Sequence, residues 1–303
     1  MISKKQSFNE TFQKNIYFLN RGRDALAIIL KILNLNQKQG ILLPSYIGWS
    51  PNEGSGVFDP IETDNIYYSF YKLNRDLSPD KEDFIRKIKD KKIKAVMIIH
   101  YFGFPQSDFL CLLKICKHHN KVVIEDCAHV LFGSSGLGSY GEYSFYSLHK
   151  FLPMDEGAIL QINDNLSYRD KIWDNISREN LLTLSKFDIN KICRVRRENY
   201  EYLRTKIPTI DNVKPFYGYL CSDVVPLNFP ILVKDRDNAY KALLEKGIET
   251  VSLYHTLIPQ ITKKEFPNSH WISNYILNLL IHEGITKKDI DVMVKALKEI
   301  VDD

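Results

Sequence analysis

The sequence contains few cysteines and no long apolar run. Its five cysteines form no C-x-x-C pair and are an odd number in a chain of 303 residues, a pattern that favours reduced thiols over a disulfide framework. The N-terminus lacks the apolar region of a signal peptide, and no stretch reaches the roughly 18 uninterrupted apolar residues of a membrane-spanning helix. These absences predict a cytoplasmic protein with no membrane partner.

The sequence also lacks a strong charge of either sign. Its 41 Lys and Arg residues against 37 Asp and Glu residues give a net charge of +4, and the lysine-rich stretch 81–94 is interleaved with acidic residues. Proteins that bind nucleic acids concentrate their basic residues on one face or in one run. The composition therefore predicts an ordinary globular protein with no nucleic-acid partner.

Apolar patterns in the first half of the chain alternate between helix and strand. The predicted elements are, in order, a helix over residues 25–35, strands over 40–44 and 93–100, a helix over 109–118 and a strand over 121–125. Strands that are continuous in Val and Ile and separated by helices indicate a mostly parallel sheet with helices on both faces, an α/β fold. Such sheets bind ligands beyond the carboxyl ends of their strands, where Pro44, His100 and Asp126 stand.

The pattern changes near residue 208. Residues 164–206 have helical patterns; the predicted elements after them are a strand (224–233), a helix (235–246), a strand (248–253) and a last helix (286–301). Thr286 and Asp289 resemble a capping box at the start of that last helix. We therefore predict a large domain over residues 1–207, with residues 1–15 as an N-terminal arm, and a smaller α+β domain over residues 208–303.

Residues 122–157 contain the residue types that pyridoxal 5'-phosphate (PLP) requires. This cofactor needs a lysine for its Schiff base, a carboxylate beside its pyridine nitrogen and hydrogen-bond donors for its phosphate. Asp126 directly follows a predicted strand, and Ser147 and Lys150 form an S-x-x-K pair on a predicted turn. These residues are therefore candidates for a PLP site.

Each of these residues alone has a more common explanation. An aspartate at the end of a strand more often caps a helix or forms a turn, and a single lysine is usually a solvated surface residue. The S-x-x-K pair also occurs in penicillin-binding enzymes, although the S-D-N and K-T-G motifs of that class are absent. The local patterns leave these alternatives open.

Longer segments of the chain carry a resemblance to a known family. They are, in chain order, NRGRDALAIIL, ILLPSYIG, IIHYFGFPQSD, VVIEDCAHVLFGS, YSFYSLHKFLPMDEGAILQIND and FPNSHWISNYILNLLIHEGITKKDIDVMVKAL. Together these segments resemble the DegT-type sugar-nucleotide aminotransferases, which are PLP-dependent enzymes of fold type I. The resemblance implies a large domain around a mostly parallel central sheet and a smaller C-terminal α+β domain.

The resemblance also implies roles for individual residues. Asp126 would pair with the pyridine nitrogen and Lys150 would carry the cofactor, so these two residues are the predicted catalytic pair. The other predicted cofactor-binding residues are Gly22 and Arg23 through backbone N–H groups at a helix N-terminus, Ser147 through its hydroxyl, and His129 near the phenolic oxygen of the ring. No metal is implied by the spacing of the histidines.

The ring-stacking position departs from the family pattern. The family places an aromatic residue four positions after the proline of the ILLPSYIG segment, and that position is Gly48 in this chain. Trp49 is the predicted stacking residue, and Tyr46 is the other aromatic candidate for the cofactor site. Tyr254 and His255 fall where the family has substrate-facing residues, so they are predicted to contact the substrate.

The position of the cofactor lysine has an alternative. Related sugar dehydratases carry histidine where the aminotransferases carry lysine, and counting in the commonest S-F-x-x-x-K form reaches His149. Counting back from the Glu-Gly pair, or matching the S-L-R-K-F-L-P form of one subgroup, reaches Lys150. We predict Lys150 as the cofactor lysine and His149 as an ordinary hydrogen-bonding histidine.

One family motif is missing from the chain. The family's G-Y-N-x-R segment, whose asparagine reaches the cofactor phosphate of the neighbouring subunit, is replaced by NISRENLLTLSKFDINKI at residues 175–192. Arg178 and Asn180 are the candidates to take over that contact. Because the family's active sites lie between subunits, we still predict a homodimer.

The resemblance implies transfer of an amino group from an amino acid, with glutamate as the expected donor, to a keto group of a nucleotide-linked sugar. Such a reaction serves surface polysaccharide or secondary-metabolite biosynthesis. Two alternatives remain: a different PLP reaction on the same fold, such as sugar dehydration or a non-sugar transamination, and a non-catalytic binding or regulatory protein. Retention of Asp126 together with Lys150 argues against the second alternative.

Overall fold

The computed structural model describes residues 15–163 and 186–302. Residues 1–14 of the predicted N-terminal arm lie outside the described residues, and so do Arg178 and Asn180. The elements up to residue 163 are, in order, β1 (Ile16–Leu19), α1 (Gly22–Ile32), β2 (Gly40–Pro44), α2 (Asp59–Thr63), β3 (Tyr68–Tyr71), α3 (Lys81–Ile88), β4 (Ile93–Ile99), α4 (Phe109–His118), β5 (Val122–Cys127), β6 (Tyr143–Ser147) and β7 (Ala158–Ile162).

These strands form one seven-stranded sheet in the order β1-β7-β6-β5-β4-β2-β3. Strands β3, β2, β4, β5 and β6 run parallel to one another, whereas β7 is antiparallel to both β6 and β1. Every residue of β2, β6 and β7 is buried, as expected for strands that are covered on both faces. The predicted α/β fold with a mostly parallel central sheet is therefore confirmed.

Helix α1 shows how the sequence pattern builds this arrangement. Its buried residues, Ala25, Leu26, Ile29 and Leu30, recur at the spacing of one helical face. That face packs on β6 and β7, so the N-terminus of α1 points to the carboxyl end of β6. The sheet edge that the sequence predicts as a ligand site therefore also receives a helix N-terminus.

The remaining elements are, in order, α5 (Ile189–Lys206), β8 (Val213–Pro215), β9 (Phe229–Val233), α6 (Arg236–Glu245), β10 (Thr250–Val251), α7 (Pro267–Tyr275), β11 (Ile276–Leu279) and α8 (Lys287–Asp302). Their strands form a second, antiparallel sheet in the order β10-β11-β9-β8. This sheet lies wholly after residue 208, although the division of the chain between residues 207 and 208 stays a prediction. At the start of α8, the Thr286 N–H donates to Asp289 Oδ2 at 2.8 Å, which confirms the predicted capping box.

Two predicted strands are shorter in the structure. The strand predicted over residues 224–233 begins only at Phe229, because Pro226 cannot donate to a ladder and the Leu227 N–H donates instead to the Phe102 carbonyl oxygen at 2.8 Å. The strand predicted over residues 248–253 is limited to Thr250–Val251. Burial of apolar residues is what the sequence pattern detects, and burial does not require strand pairing.

Asp126 differs slightly from its predicted position. It lies inside β5, in register with Ile99 of β4 and Phe145 of β6, rather than after the end of the strand. The backbone of Asp126 is therefore fixed by both neighbouring strands. Its carboxylate still belongs to the carboxyl end of the sheet, because β5 ends one residue later at Cys127.

Candidate active site

A cavity of about 360 Å³ opens at the carboxyl ends of the parallel strands. Its lining includes the predicted site residues Gly22, Arg23, Tyr46, Trp49, Asp126, Ser147, Lys150, Tyr254 and His255. His129 does not line the cavity but contacts it through Tyr254. Tertiary structure thus brings together residues that lie more than 200 positions apart in the chain.

Asp126 is 4% exposed. Its Oδ1 accepts a hydrogen bond from the Ala128 N–H at 2.8 Å. Burial raises the pKa of the Asp126 carboxyl above its ordinary value, and the Ala128 N–H and the nearby Lys150 charge offset only part of this effect. A cation placed against this carboxylate would stabilise its ionised form, and a protonated pyridine nitrogen is such a cation.

Lys150 ends a short 3₁₀ turn, Leu148–Lys150, that follows β6. Burial lowers the pKa of its amine below the ordinary value, although the charges of Asp126 and Glu53 act in the opposite direction. A lowered pKa increases the fraction of neutral amine, which is the nucleophilic form. Lys150 therefore has the chemistry that a cofactor lysine needs.

His149 lines the same cavity as Lys150 but is more exposed. Its side chain is exposed, and its Nδ1 lies 3.5 Å from the Ser147 hydroxyl oxygen. The charge that acts on Asp126 from this turn comes from Lys150. This electrostatic coupling to Asp126 supports the prediction of Lys150, although both residues line the cavity.

The N-terminus of α1 lies beside Ser147. A Cβ atom at Gly22 would lie 3.7 Å from the Ser147 hydroxyl oxygen, so the hydroxyl and the first turn of the helix face the same space. The Arg23 guanidinium donates to the Glu53 carbonyl oxygen and pairs with Asp59. Arg23 can therefore bind an anion through its backbone N–H. Unpaired N–H groups and the helix dipole both favour an anion at this point.

This set of groups suits PLP. A carboxylate, a lysine with a lowered pKa, and a hydroxyl beside a helix N-terminus surround one cavity, and they match the pyridine nitrogen, the aldehyde carbon and the phosphate of that cofactor. The volume of the cavity lies within the range of ordinary small-molecule sites, about 300 to 1,000 Å³.

The two predicted aromatic residues lie in different environments. Trp49 is 39% exposed at the rim of the cavity. Tyr46 is fully buried; its hydroxyl accepts a hydrogen bond from the Tyr254 N–H at 2.6 Å and donates to the Leu253 carbonyl oxygen at 3.1 Å. Tyr46 therefore holds the chain segment that carries Tyr254.

Tyr254 and His255 also lie in different environments. The ring of Tyr254 packs directly on Gly48, and its hydroxyl lies 3.3 Å from His129 Nε2. His255 is exposed at the cavity rim, where its Nδ1 lies 3.2 Å from the Ser252 carbonyl oxygen. The contact between Tyr254 and Gly48 was missed by sequence reasoning. The only signal for it is the glycine at a position where the resemblance expects an aromatic side chain.

A buried polar network lies behind the cavity. Glu125, which is fully buried, accepts hydrogen bonds from the N–H groups of Gly138, Tyr140 and Gly141 and lies 3.0 Å from His100 Nε2. Burial alone would raise the pKa of Glu125, but His100 and the backbone N–H donors outweigh burial and lower it. The network fastens the loop over residues 138–141 to the strand that carries Asp126.

With Cys127, His100 and Glu125 form a group whose potential ligand atoms lie within 4.8 Å of one another. The nitrogen atoms of His100 are already engaged, because Nδ1 accepts from the Gln106 N–H at 3.1 Å and Nε2 faces Glu125. Both Glu125 oxygen atoms also accept hydrogen bonds. The arrangement therefore serves to hold the backbone in place.

A second cavity, of about 220 Å³, is also lined by Lys150. Arg196 of α5 lines it together with Asn228 and His282. The Arg196 guanidinium is 4% exposed and donates to the Leu227 carbonyl oxygen at 2.8 Å. The sequence predicted helical structure over residues 164–206 but assigned no role to Arg196.

Comparison with solved structures identifies the fold. The fold is that of an aminotransferase: the aminotransferase TlmJ from Streptoalloteichus hindustanus matches with a TM-score of 0.81 at 17% identity, over 95% of this chain and 86% of that one. The predicted fold type I architecture is thereby confirmed.

The chain belongs to the DegT/DnrJ/EryC1/StrS aminotransferase family, whose model matches residues 12–180 and 177–298. This result confirms the predicted family and the prediction of an aminotransferase, and membership implies PLP dependence. A GDP-perosamine synthase of Vibrio cholerae is 26% identical over 164 residues, which are 50% of this chain and 41% of that protein. A dTDP-4-dehydro-2,3,6-trideoxy-D-glucose 4-aminotransferase of Saccharopolyspora spinosa is 25% identical over 186 residues, 59% of this chain and 45% of that protein.

None of the helices in the described residues is both long enough and apolar enough to span a bilayer.

Proposed function

We propose that this protein is a PLP-dependent aminotransferase that transfers nitrogen from an amino acid, glutamate in the first instance, to a keto group of a nucleotide-linked sugar. The observation that carries the proposal is that Asp126 and Lys150 face one cavity, with Ser147 and the N-terminus of α1 beside them. Relatives that are named for amino sugars carried on nucleotides support the choice of acceptor.

Each of these residues has a defined task in the proposed reaction. Asp126, held by both neighbouring strands and by the Ala128 N–H, would keep the pyridine nitrogen protonated. The N–H groups of Gly22 and Arg23 and the hydroxyl of Ser147 would hold the phosphate. Bound PLP would supply a carbonyl group that condenses with amines and a ring that accepts the electrons of the broken bond.

Lys150 would act twice, first as the amine that holds the cofactor and then as the base that moves a proton. Its lowered pKa suits both tasks, since each requires the neutral amine. Lys150 and Arg196 both line the second cavity, and the positive charge of Arg196, which lies 3.7 Å from Glu283, would suit the carboxylate of an amino donor. We also propose that the active assembly is a homodimer and that the protein acts in the cytoplasm.

The test of the cofactor lysine is borohydride reduction after incubation with PLP, followed by mass spectrometry of the peptides. We expect the reduced cofactor on Lys150 in the wild type and in His149→Ala, and no labelling in Lys150→Ala. Labelling that persists in Lys150→Ala, or that moves to another residue in the wild type, would overturn this assignment.

The test of the reaction is a half-reaction with glutamate alone. We expect one 2-oxoglutarate for each bound cofactor, and the aminated enzyme should then convert a keto-sugar nucleotide in a screen of such compounds. A PLP-loaded enzyme that releases no 2-oxoglutarate would contradict the glutamate donor. Conversion of the sugar without a donor would indicate dehydration instead.

A further inference from the structure

Gly48 and Tyr254 share one position in the cavity wall. A Cβ atom at Gly48 would lie 1.9 Å from Tyr254 Cδ1 and 2.3 Å from Cγ, far inside van der Waals contact. The ring of Tyr254 therefore fills the volume that any side chain at position 48 would need. Only glycine at position 48 allows this packing.

The chain segment after Tyr254 is fixed against the segment around Gly48. The Trp49 N–H donates to the Thr256 carbonyl oxygen at 3.1 Å, and the Ile258 N–H donates to the Ile47 carbonyl oxygen at 3.1 Å. The Tyr46 hydroxyl accepts from the Tyr254 N–H on the other side. These contacts fix the backbone on both sides of the Tyr254 side chain without help from a ligand.

The hydrogen bond between Tyr254 and His129 has a defined direction. The Phe102 N–H donates to His129 Nδ1 at 3.1 Å, so a neutral His129 carries its proton on Nε2. Burial lowers the pKa of His129 well below its ordinary value, which keeps the ring neutral. His129 Nε2–H must therefore donate to the Tyr254 hydroxyl oxygen.

This direction leaves the hydroxyl hydrogen of Tyr254 for an acceptor other than His129. Tyr254 lines the cavity together with Asp126 and Lys150, whereas His129 does not line it. Burial raises the pKa of the Tyr254 hydroxyl, and the Asp126 charge raises it further, so the hydroxyl keeps its proton. The group that reaches a ligand from this wall is thus the hydroxyl of Tyr254.

We propose that Tyr254 contacts the cofactor itself. Its ring packs on the cofactor ring from the space that a side chain at position 48 would fill, and its hydroxyl, oriented by His129, donates a hydrogen bond to the phenolic oxygen of PLP. This inference rests on the proposed function. It moves Tyr254 from the substrate to the cofactor and makes His129 a positioning residue that acts through Tyr254. It also replaces Trp49 as the ring-facing aromatic residue.

The hydroxyl contact is tested by the pH dependence of the absorbance of bound PLP. A donated hydrogen bond stabilises the deprotonated phenolic oxygen, so its loss in Tyr254→Phe should raise the midpoint of the spectral titration by about one to two pH units. Tyr219→Phe is the matched control, because it removes the same hydroxyl from a side chain that is 73% exposed, and its midpoint should equal that of the wild type. An unchanged midpoint in Tyr254→Phe would overturn the hydroxyl contact.

The ring position is tested independently by moving the aromatic group. Tyr254→Ala should weaken PLP binding by about two- to tenfold, the usual worth of one aromatic contact, and the double variant Gly48→Phe/Tyr254→Ala should recover most of that affinity. Gly48→Phe alone should bind PLP more weakly than the wild type, because two rings cannot occupy one volume. A double variant that binds no better than Tyr254→Ala would refute the shared position.

These outcomes separate the two proposals. A wild type that binds no PLP would overturn both the proposed function and the role of Tyr254. A wild type that binds PLP on Lys150, with Tyr254 variants that behave as the wild type, would overturn only the role of Tyr254.

Discussion

The substitution Glu125→Gln removes a charge from the buried network behind the cavity. Glu125 Oε1 accepts from the N–H groups of Tyr140 and Gly141, at 2.8 and 2.6 Å. Its Oε2 accepts from the Gly138 N–H at 2.8 Å and lies 3.0 Å from His100 Nε2. All four neighbours act as donors, because His100 Nδ1 is already an acceptor for the Gln106 N–H and its proton is therefore on Nε2.

Two donors meet each oxygen of Glu125, and the glutamine side chain has only one oxygen, so it can accept from only one of these two pairs of donors. Whichever way its amide group is turned, its NH₂ group meets two donors and at least two hydrogen bonds to a carboxylate are lost. Hydrogen bonds to charged groups contribute about 1.5 to 3 kcal/mol each, so we expect the free energy of unfolding to fall by about 3 to 6 kcal/mol. That loss is a large part of the roughly 5 to 15 kcal/mol by which proteins are stable.

Urea denaturation followed by circular dichroism measures this change. Glu142→Gln is the matched control: Glu142 is exposed and, among the residues that the structure describes, its carboxylate accepts one hydrogen bond, from the Val123 N–H at 2.7 Å, which the amide oxygen of glutamine can replace. The control should lie within about 0.5 kcal/mol of the wild type. Equal denaturation midpoints for Glu125→Gln and Glu142→Gln would show that the network does not stabilise the fold as described.

Two further predictions concern His129 and Arg196. Burial holds the pKa of His129 well below about 6.5, its value in an unfolded chain. As pH falls from 7 to 5, the unfolded state therefore gains a proton that the folded state does not, and the free energy of unfolding falls by up to about 1.4 kcal/mol per pH unit. His129→Gln removes this contribution, so the difference in unfolding free energy between the variant and the wild type should move in favour of the variant across that range; a pH-independent difference would contradict the buried neutral state. Arg196→Lys should cost about 1 to 3 kcal/mol, since one ammonium cannot reach both the Leu227 and Phe151 carbonyl oxygens that the guanidinium contacts at 2.8 and 3.4 Å. Arg194→Lys, in an exposed pair with Glu198, is its control, and equal effects of the two substitutions on the unfolding midpoint would refute that reasoning.

Sequence patterns predicted the elements that depend on local periodicity. The helix predicted over residues 109–118 is Phe109–His118 in the structure, and the predicted strand over residues 40–44 is Gly40–Pro44. The prediction for residues 224–233 was too long, because a buried apolar run and a paired strand look alike in sequence. The prediction for residues 248–253 was also too long, and those residues are half-buried or exposed. The family was identified from segments that each span a strand end or a helix start.

The candidate site was also predicted only in part from the sequence. Asp126 lies on β5, Ser147 ends the neighbouring parallel strand β6, and Lys150 ends the turn that follows β6. The sequence predicted Asp126 at a strand end and Ser147 and Lys150 on a turn, but it did not predict β6, so the structure decided how they meet. Their roles as cofactor residues remain predictions that the experiments above test. Sequence motifs already favoured Lys150 over His149; in the structure both residues lie on the same short turn, and the charge of Lys150 acts on Asp126.

The sequence by itself determined the α/β sheet, the family and the residues that stand at the carboxyl ends of the strands, because all of these follow from local apolar periodicity and from motifs of contiguous residues. Tertiary structure alone decided that the space above Gly48 belongs to Tyr254 and that His129 faces it with Nε2. Those contacts join chain segments that are 125 and more residues apart, and they depend on side-chain volume and on the direction of hydrogen bonds. Neither quantity leaves a periodic trace in the sequence.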